Sequence, residues 1–364
     1  MHRDPGPADT GGIRTRMQAT GRWRSTHSNN HLTGVSMQNI VVFGGSGFLG
    51  SQLVARLSAA GCRVLVPTRR RERAKHLLPL PTVDVVQIDT FDPATLERLM
   101  QGQDAAVNLV GMLHGRGGKP YGGDFARAHV RLPQNLAAAC LASGASRLVH
   151  VSAIGADPHG PSMYLRSKGD GEAAVRAQDS LRWTILRPSV VFGPGDNFLN
   201  LFVRLQRLLP VVLLGGANAR FAPVYAGDVV QAMQHALIGP QADATIGKTY
   251  ELTGPQSYTL AELVKLSGQW AGINQGRGRA VIALPAPLAR LMALLLECAP
   301  GGPLMSRDNL DSMRVPNVAS GQFPGFAAEL GVSRPCALET IAPDDLSGRD
   351  PEMRYSQLRT SAGR

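Results

Sequence analysis

The chain has 364 residues, 43% hydrophobic and 18% charged, which excludes a largely disordered protein and allows one large core with a second small lobe. Its formal net charge of +11 comes with only 5% aromatic residues, and the basic residues are scattered apart from "RRRERAK" at Arg69–Lys75; an acidic ligand or a membrane surface fits this better than nucleic acid. The four cysteines, Cys62, Cys140, Cys298 and Cys336, make no CxxC pair, so reduced thiols in a cytosol-like compartment are expected, with no disulfide framework and no metal.

Residues 1–36 carry five Arg, two Asp and no hydrophobic periodicity, and read as a disordered leader or a start placed too early. From Met37 on, apolar runs alternate with helical patterns. Strands are expected at Ile40–Phe43, Arg63–Val66, Asp84–Ile88, Ala105–Val110, Arg147–Val151 and Thr184–Leu186. Between the first two, "FLGSQLVARLSAAG" places Phe48, Leu49, Leu53 and Leu57 on one stripe, with Gly61 to end it. Near-continuous apolar strands alternating with helices predict an α/β fold, a Rossmann-type doubly wound parallel sheet, with residues 37–190 as its core.

After Arg187 the rhythm loosens. "DNFLNLFVRLQRLLP" and "GDVVQAMQHAL" read as helices and "TYELTG" as a late strand, so residues 191–345 are expected to mix the last sheet elements with a small C-terminal, substrate-facing lobe. In that lobe "LPAPLARLMALLLECAP" (Leu284–Pro300) falls short of the roughly 20 apolar residues of a membrane span. It carries Arg290 and Glu297 and reads as a buried or lid helix, or as one that lies on a membrane or docks on a partner. Loops dominate beyond about Ser320, and residues 346–364 read as a disordered tail.

"VVFGGSGFLG" sets Gly44, Gly45, Gly47 and Gly50 between the first strand and its helix, satisfying both GxxGxxG and GxGxxG. Such a turn brings backbone close to a pyrophosphate and rests the phosphates on a helix N-terminus, whose open N–H groups and dipole favour anions. The pattern follows a strand and opens an amphipathic helix, so dinucleotide binding is expected over Gly44–Gly50, including Ser46, Phe48 and Leu49. At the end of the second strand, where an acid would bind the ribose 2′-OH of NAD, the chain has Thr68, Arg69 and Arg70. Guanidinium forks match a 2′-phosphate, so NADP(H) is favoured over NAD(H). Asp89 is placed at the adenine edge, and Gly111 where the cofactor lies against backbone.

"GPSMYLRSKGDGEAAVRA" reads as a helix with Ser162 as N-cap, which puts Tyr164 and Lys168 on one face at i and i+4. A nearby ammonium would lower the phenol pKa from about 10, suiting Tyr164 to relay a proton to or from a carbonyl or alcohol. Lys168 would also hold the nicotinamide ribose.

With the glycine turn, Tyr164-x-x-x-Lys168 resembles the short-chain dehydrogenase/reductase superfamily in its extended, epimerase-like branch. Within it, the chain is similar to the atypical group that includes the NAD(P)H-binding accessory subunit of respiratory complex I. The stretches "VVFGGSGFLGSQLV", "RLVHVSAIGAD", "YLRSKGDGE", "WTILRPSVVFGPGDNFLN" and "FAPVYAGDVVQAM" carry the resemblance. It implies that Tyr164 and Lys168 are the catalytic pair, and that Pro188 and Ser189 line the nicotinamide. Two positions depart from the pattern. Ser152 is followed by Ala153 and Ile154, so the carbonyl-orienting hydroxyl comes early, and His129 stands where the family has Asn. His129 reads as a packed histidine or as a substitute proton relay.

These features point to an NADP-dependent oxidoreductase or epimerase acting on a small or lipid-like, quinone-like substrate. The alternative is a cofactor-bound accessory or assembly protein of a respiratory or quinone-biosynthesis complex. A nucleotide-sugar epimerase is a weaker third. The expected location is cytoplasmic, with association at a membrane surface as the variant.

Overall fold

The computed structural model of the protein describes residues 38–297 and 304–347. The expected leader, Cys298 and the chain beyond Ser347 lie outside the described residues. Seven parallel strands form the central sheet: β1 (Asn39–Phe43), β2 (Arg63–Thr68), β3 (Val83–Gln87), β4 (Ala105–Asn108), β5 (Arg147–Val151), β6 (Arg182–Pro188) and β7 (Lys248–Leu252). Their order is β3-β2-β1-β4-β5-β6-β7, so the winding direction reverses between β1 and β4. Ligands of open α/β sheets bind in the crevice at such a switch point, beyond the carboxyl ends of the strands.

Ten helices complete the frame used below. They are α1 (Phe48–Ala59), α2 (Pro93–Met100), α3 (Leu132–Ser143), α4 (Met163–Arg176), α5 (Leu199–Leu208), α6 (Ala226–Ile238), α7 (Leu260–Trp270), α8 (Ala286–Glu297), α9 (Arg307–Ser312) and α10 (Leu338–Leu346). Successive residues of a strand face opposite sides of the sheet, and β1 shows it. Ile40 and Val42 pack with Leu53 and Leu57 of α1 and Met233 of α6, while Val41 and Phe43 pack with Met100 of α2 and Leu136 of α3. Both faces are covered, which is why the strands read as apolar runs rather than as alternation.

Several boundaries, and the burial of one helix, differ from the sequence reading. β4 stops at Asn108 rather than at Val110, because the Asn108 side chain accepts a hydrogen bond from the Val110 N–H at 3.1 Å and turns the chain. Leu346, where the tail is expected to begin, belongs to a helix. Leu346 closes α10 and is buried with Leu338 and Ala342 against Leu199 and Leu263, a stripe obscured in the sequence by Pro343 inside the helix. α8 is not buried. Of its residues only Ala289 and Ala293 are enclosed, and Leu288, Leu291, Leu294 and Leu295 are exposed. No described helix is long and apolar enough to cross a membrane.

Beneath α4 lies a buried ionic cluster. The Glu172 carboxylate, fully enclosed, accepts Arg187 Nε at 2.8 Å and Nη2 at 2.7 Å in a bidentate pair, and also Arg176 Nη2 at 2.7 Å. Arg187 donates further to the Ala156 carbonyl and stacks over the Phe323 ring at 4.6 Å. Neighbouring Glu251 on β7 accepts the Ser320 N–H and hydroxyl. Removing one partner strands a charge in the interior, whereas replacing both removes the bidentate pair and leaves only Arg176 and Glu251 charged. Arg187→Met should therefore cost about 3–5 kcal/mol in urea unfolding, and the double variant Glu172→Gln/Arg187→Met should recover part of that loss.

Candidate active site at the carboxyl ends of the strands

The glycine turn between β1 and α1 leaves no room for side chains. Gly44 adopts φ +83°, and a Cβ on Gly50 would fall 2.2 Å from the Gly44 carbonyl oxygen. The first turn of α1 has no side-chain cap at Gly47 and no acidic residue, so its N-terminal dipole is uncompensated toward Ser46, Phe48 and Leu49. A turn with this shape fits a dinucleotide pyrophosphate. Beyond β2, Thr68 is buried and hydrogen-bonds the Arg70 backbone, while Arg69 and Arg70 are exposed and form no ion pair among the described residues. Asp89 is exposed two residues past the end of β3.

Tyr164 and Lys168 occupy the first turns of α4, whose start is held by three acceptors. Ser162 Oγ takes the Leu165 N–H at 3.1 Å, and the Asp308 carboxylate of α9 takes the N–H groups of Met163 and Tyr164 at 2.6 and 3.0 Å. These are three of the four donors that a helix start leaves open. The sequence marks Ser162 as a cap. It gives no sign of Asp308, which reaches Tyr164 from 144 residues away.

Lys168 is buried, and Nζ donates to the Val151 carbonyl at 3.2 Å. Burial pushes its pKa down to about 8, with Glu172 pulling the other way. Gly111 opens directly onto it, since a Cβ there would lie 3.5 Å from Nζ. The Tyr164 ring packs edge-on to His129 at 5.6 Å and Phe125 at 6.5 Å. Burial raises the phenol to about 12, the reverse of the shift expected from Lys168.

His129 is a packed histidine. Its Nε2 accepts the Met112 N–H at 3.0 Å, so Nδ1 carries the proton and donates to Ser167 Oγ at 2.8 Å. Ser167 in turn donates to the Tyr164 carbonyl at 2.8 Å. Burial holds His129 neutral, down to about 2, and its two ring nitrogens join the loop after β4 to α4.

Ser152 Oγ and His150 Nε2 are buried and lack hydrogen-bond partners among the described residues. Ser189 is not open to a ligand through its hydroxyl, which donates to Asn317 Oδ1 at 2.6 Å. Pro188 closes β6, and its carbonyl accepts the Ile154 N–H. The structure thus gathers Gly111, Tyr164 and Lys168 at one place, with the glycine turn following β1 in the same sheet, and diverts Ser189 to the C-terminal segment.

A cleft of about 1070 Å³ adjoins α4, with Met163 and Phe125 in its wall. Its other walls are the loop after β4, including His114, and helices α8 and α9. His114 carries no motif that could have singled it out.

Residues 40–252 match the NAD dependent epimerase/dehydratase family. The chain belongs to that family. The mitochondrial NADH dehydrogenase (ubiquinone) 1 alpha subcomplex subunit 9 of Mus musculus is 31% identical over 86% of this chain and 81% of its own length. The ceramide reductase of Caulobacter vibrioides is 34% identical over 52% of this chain and 57% of its own. Among solved structures, a dTDP-glucose 4,6-dehydratase from Streptomyces venezuelae with bound NAD shares the fold. Its TM-score is 0.58 and its identity 23%, covering 68% of this chain and 85% of that one.

Asp308→Ala removes the cap on the first two N–H groups of α4. It should lower stability by about 1–2 kcal/mol, read by thermal unfolding, and Asp308→Asn should retain part of the capping and lose less.

Proposed function

We propose that the protein is an NAD(P)H-dependent oxidoreductase in which Tyr164 exchanges a proton with a carbonyl or alcohol and Lys168 holds the nicotinamide ribose. The observation that carries this reading is the buried Lys168 ammonium facing Gly111, one helical turn from Tyr164, on a sheet whose glycine turn has no room for side chains. The nicotinamide, when bound, supplies the hydride. Tyr164 keeps its proton to about pH 12, so it is the acid of a reduction rather than a ready base. The buried Ser152 hydroxyl is free to meet a ligand, and with Tyr164 and Lys168 it completes the proposed catalytic set.

NADP(H) is the proposed cofactor, because Arg69 and Arg70 offer two unpaired guanidinium groups where a 2′-phosphate would lie, with Asp89 beside the adenine. A lipid-like substrate is favoured by the leucines of α8 beside the cleft, and the ceramide reductase relative is in keeping with it. A second reading, a cofactor-bound accessory protein of a respiratory complex, is favoured by the extent of the match to the complex I subunit and by the alanine and isoleucine that follow Ser152. Association with such a complex would place the chain at a membrane surface.

Tyr164→Phe should lower single-turnover NADPH oxidation with aliphatic ketones or quinones by about 10²–10⁴-fold while leaving NADPH affinity unchanged. Equal rates in both proteins would favour the accessory reading, which co-migration with a respiratory complex on native gels would test. Arg69→Ala/Arg70→Ala should weaken NADPH at least tenfold and NADH by less than twofold, measured by nucleotide fluorescence; an equal loss of both would refute the NADP(H) assignment. Lys168 loses its charge as pH rises through about 8, so NADPH affinity should fall across that range. Lys168→Met should abolish that dependence.

A further inference from the structure

The charges around the cleft do not cancel. Its carboxylates are all engaged: Asp124 with Arg116 and Arg127, Asp311 with Arg290, Glu297 with Arg307, and Asp308 with the start of α4. Two cations in its wall have no carboxylate. Lys119 forms no ion pair or hydrogen bond among the described residues, and Arg166 spends its guanidinium on the Pro120 and Gly160 carbonyls, which leave its charge uncompensated. In the same wall His114 Nδ1 is buried and makes no hydrogen bond among the described residues, with the Asp308 carboxylate acting on the ring, an arrangement that costs free energy until something polar meets it. The remaining wall is apolar, with Leu113, Leu291 and Leu294 each 41–54% exposed.

We infer that the cleft takes a monomeric acidic amphiphile, its anionic head set by Lys119, Arg166 and His114 and its alkyl chain laid along Leu113, Leu291 and Leu294. Both halves of the site call for it. Leucines that line a concave wall gain by excluding water from an alkyl chain, and unpaired cations beside a partnerless imidazole nitrogen gain from an anion that can also hydrogen-bond. The cleft runs to Met163 and Phe125, and the Tyr164 ring packs edge-on to Phe125, so the bound amphiphile lies one ring away from the residue proposed as the acid. This names the substrate class of the proposed reaction, a long-chain oxo or hydroxy acid, and rests on that reading for the chemistry though not for binding.

The test is calorimetric titration of the NADPH-loaded protein with dodecanoate below its micellar concentration, beside butanoate and dodecan-1-ol. Dodecanoate should bind at least tenfold tighter than either, since both the chain and the charge contribute. Leu291→Asp and Leu294→Asp, at positions already exposed, should each weaken it about tenfold or more, and Lys119→Glu should weaken dodecanoate without affecting dodecan-1-ol. All three variants should bind NADPH as the wild type does. Equal affinity for dodecanoate and butanoate, or indifference to the leucine substitutions, would overturn the assignment. So would a result in which Leu291→Asp abolishes sedimentation with phosphatidylglycerol vesicles yet leaves dodecanoate binding intact, because the leucines would then serve a bilayer. Tight dodecanoate binding with no NADPH oxidation by 3-oxo acids would instead count against the catalytic reading alone.

Discussion

The helix that carries Tyr164 and Lys168 is held against the sheet by one enclosed carboxylate. Glu172 sits one turn beyond Lys168, grips Arg187 of β6 with both oxygens, and receives Arg176 from its own helix. A bidentate pair fixes direction as well as distance, so α4 has little freedom to roll about its axis. That matters because a helix that turned by a few tens of degrees would swing Tyr164 and Lys168 away from Gly111. The Glu172 carboxylate is fully enclosed and Arg187 nearly so, and the geometry of the pair therefore sets that of the helix above it.

The same dryness governs the titratable groups. Tyr164 is driven up, while Lys168 and His129 are driven down, and in each case the first cause is burial rather than a neighbouring charge. Lost hydration disfavours whichever form is charged. The result is an acid that keeps its proton, a lysine poised near neutrality and an imidazole that stays neutral and structural. A nucleotide laid against Gly111 would bring its own dipoles and phosphates, and Lys168, at about 8, is the group with the most to gain from them.

The C-terminal lobe is part of this arrangement rather than an appendage. Asp308 caps the start of α4, Asn317 occupies the Ser189 hydroxyl, and Phe323 covers Arg187. These contacts tie the last third of the chain to α4 and to β6. Asp308 also lies in the wall of the cleft, so α9 both shapes the cleft and steadies the start of α4.

Features written in local spacing were legible in the amino-acid sequence. The parallel sheet follows from apolar runs alternating with helical stripes, the turn at Gly44–Gly50 from glycines between a strand and a helix, and the Tyr164–Lys168 face from a separation of four on a helix capped by Ser162. Periodicity and caps act over a few residues, so they survive in one dimension. What depended on distant contacts was not legible. The cap from Asp308, the diversion of Ser189 to Asn317, the helix ending at Leu346 and the cleft beside His114 all join segments far apart in the chain. The direction of the Tyr164 shift belongs to the same class, because desolvation is a property of the surroundings and only the folded chain supplies them.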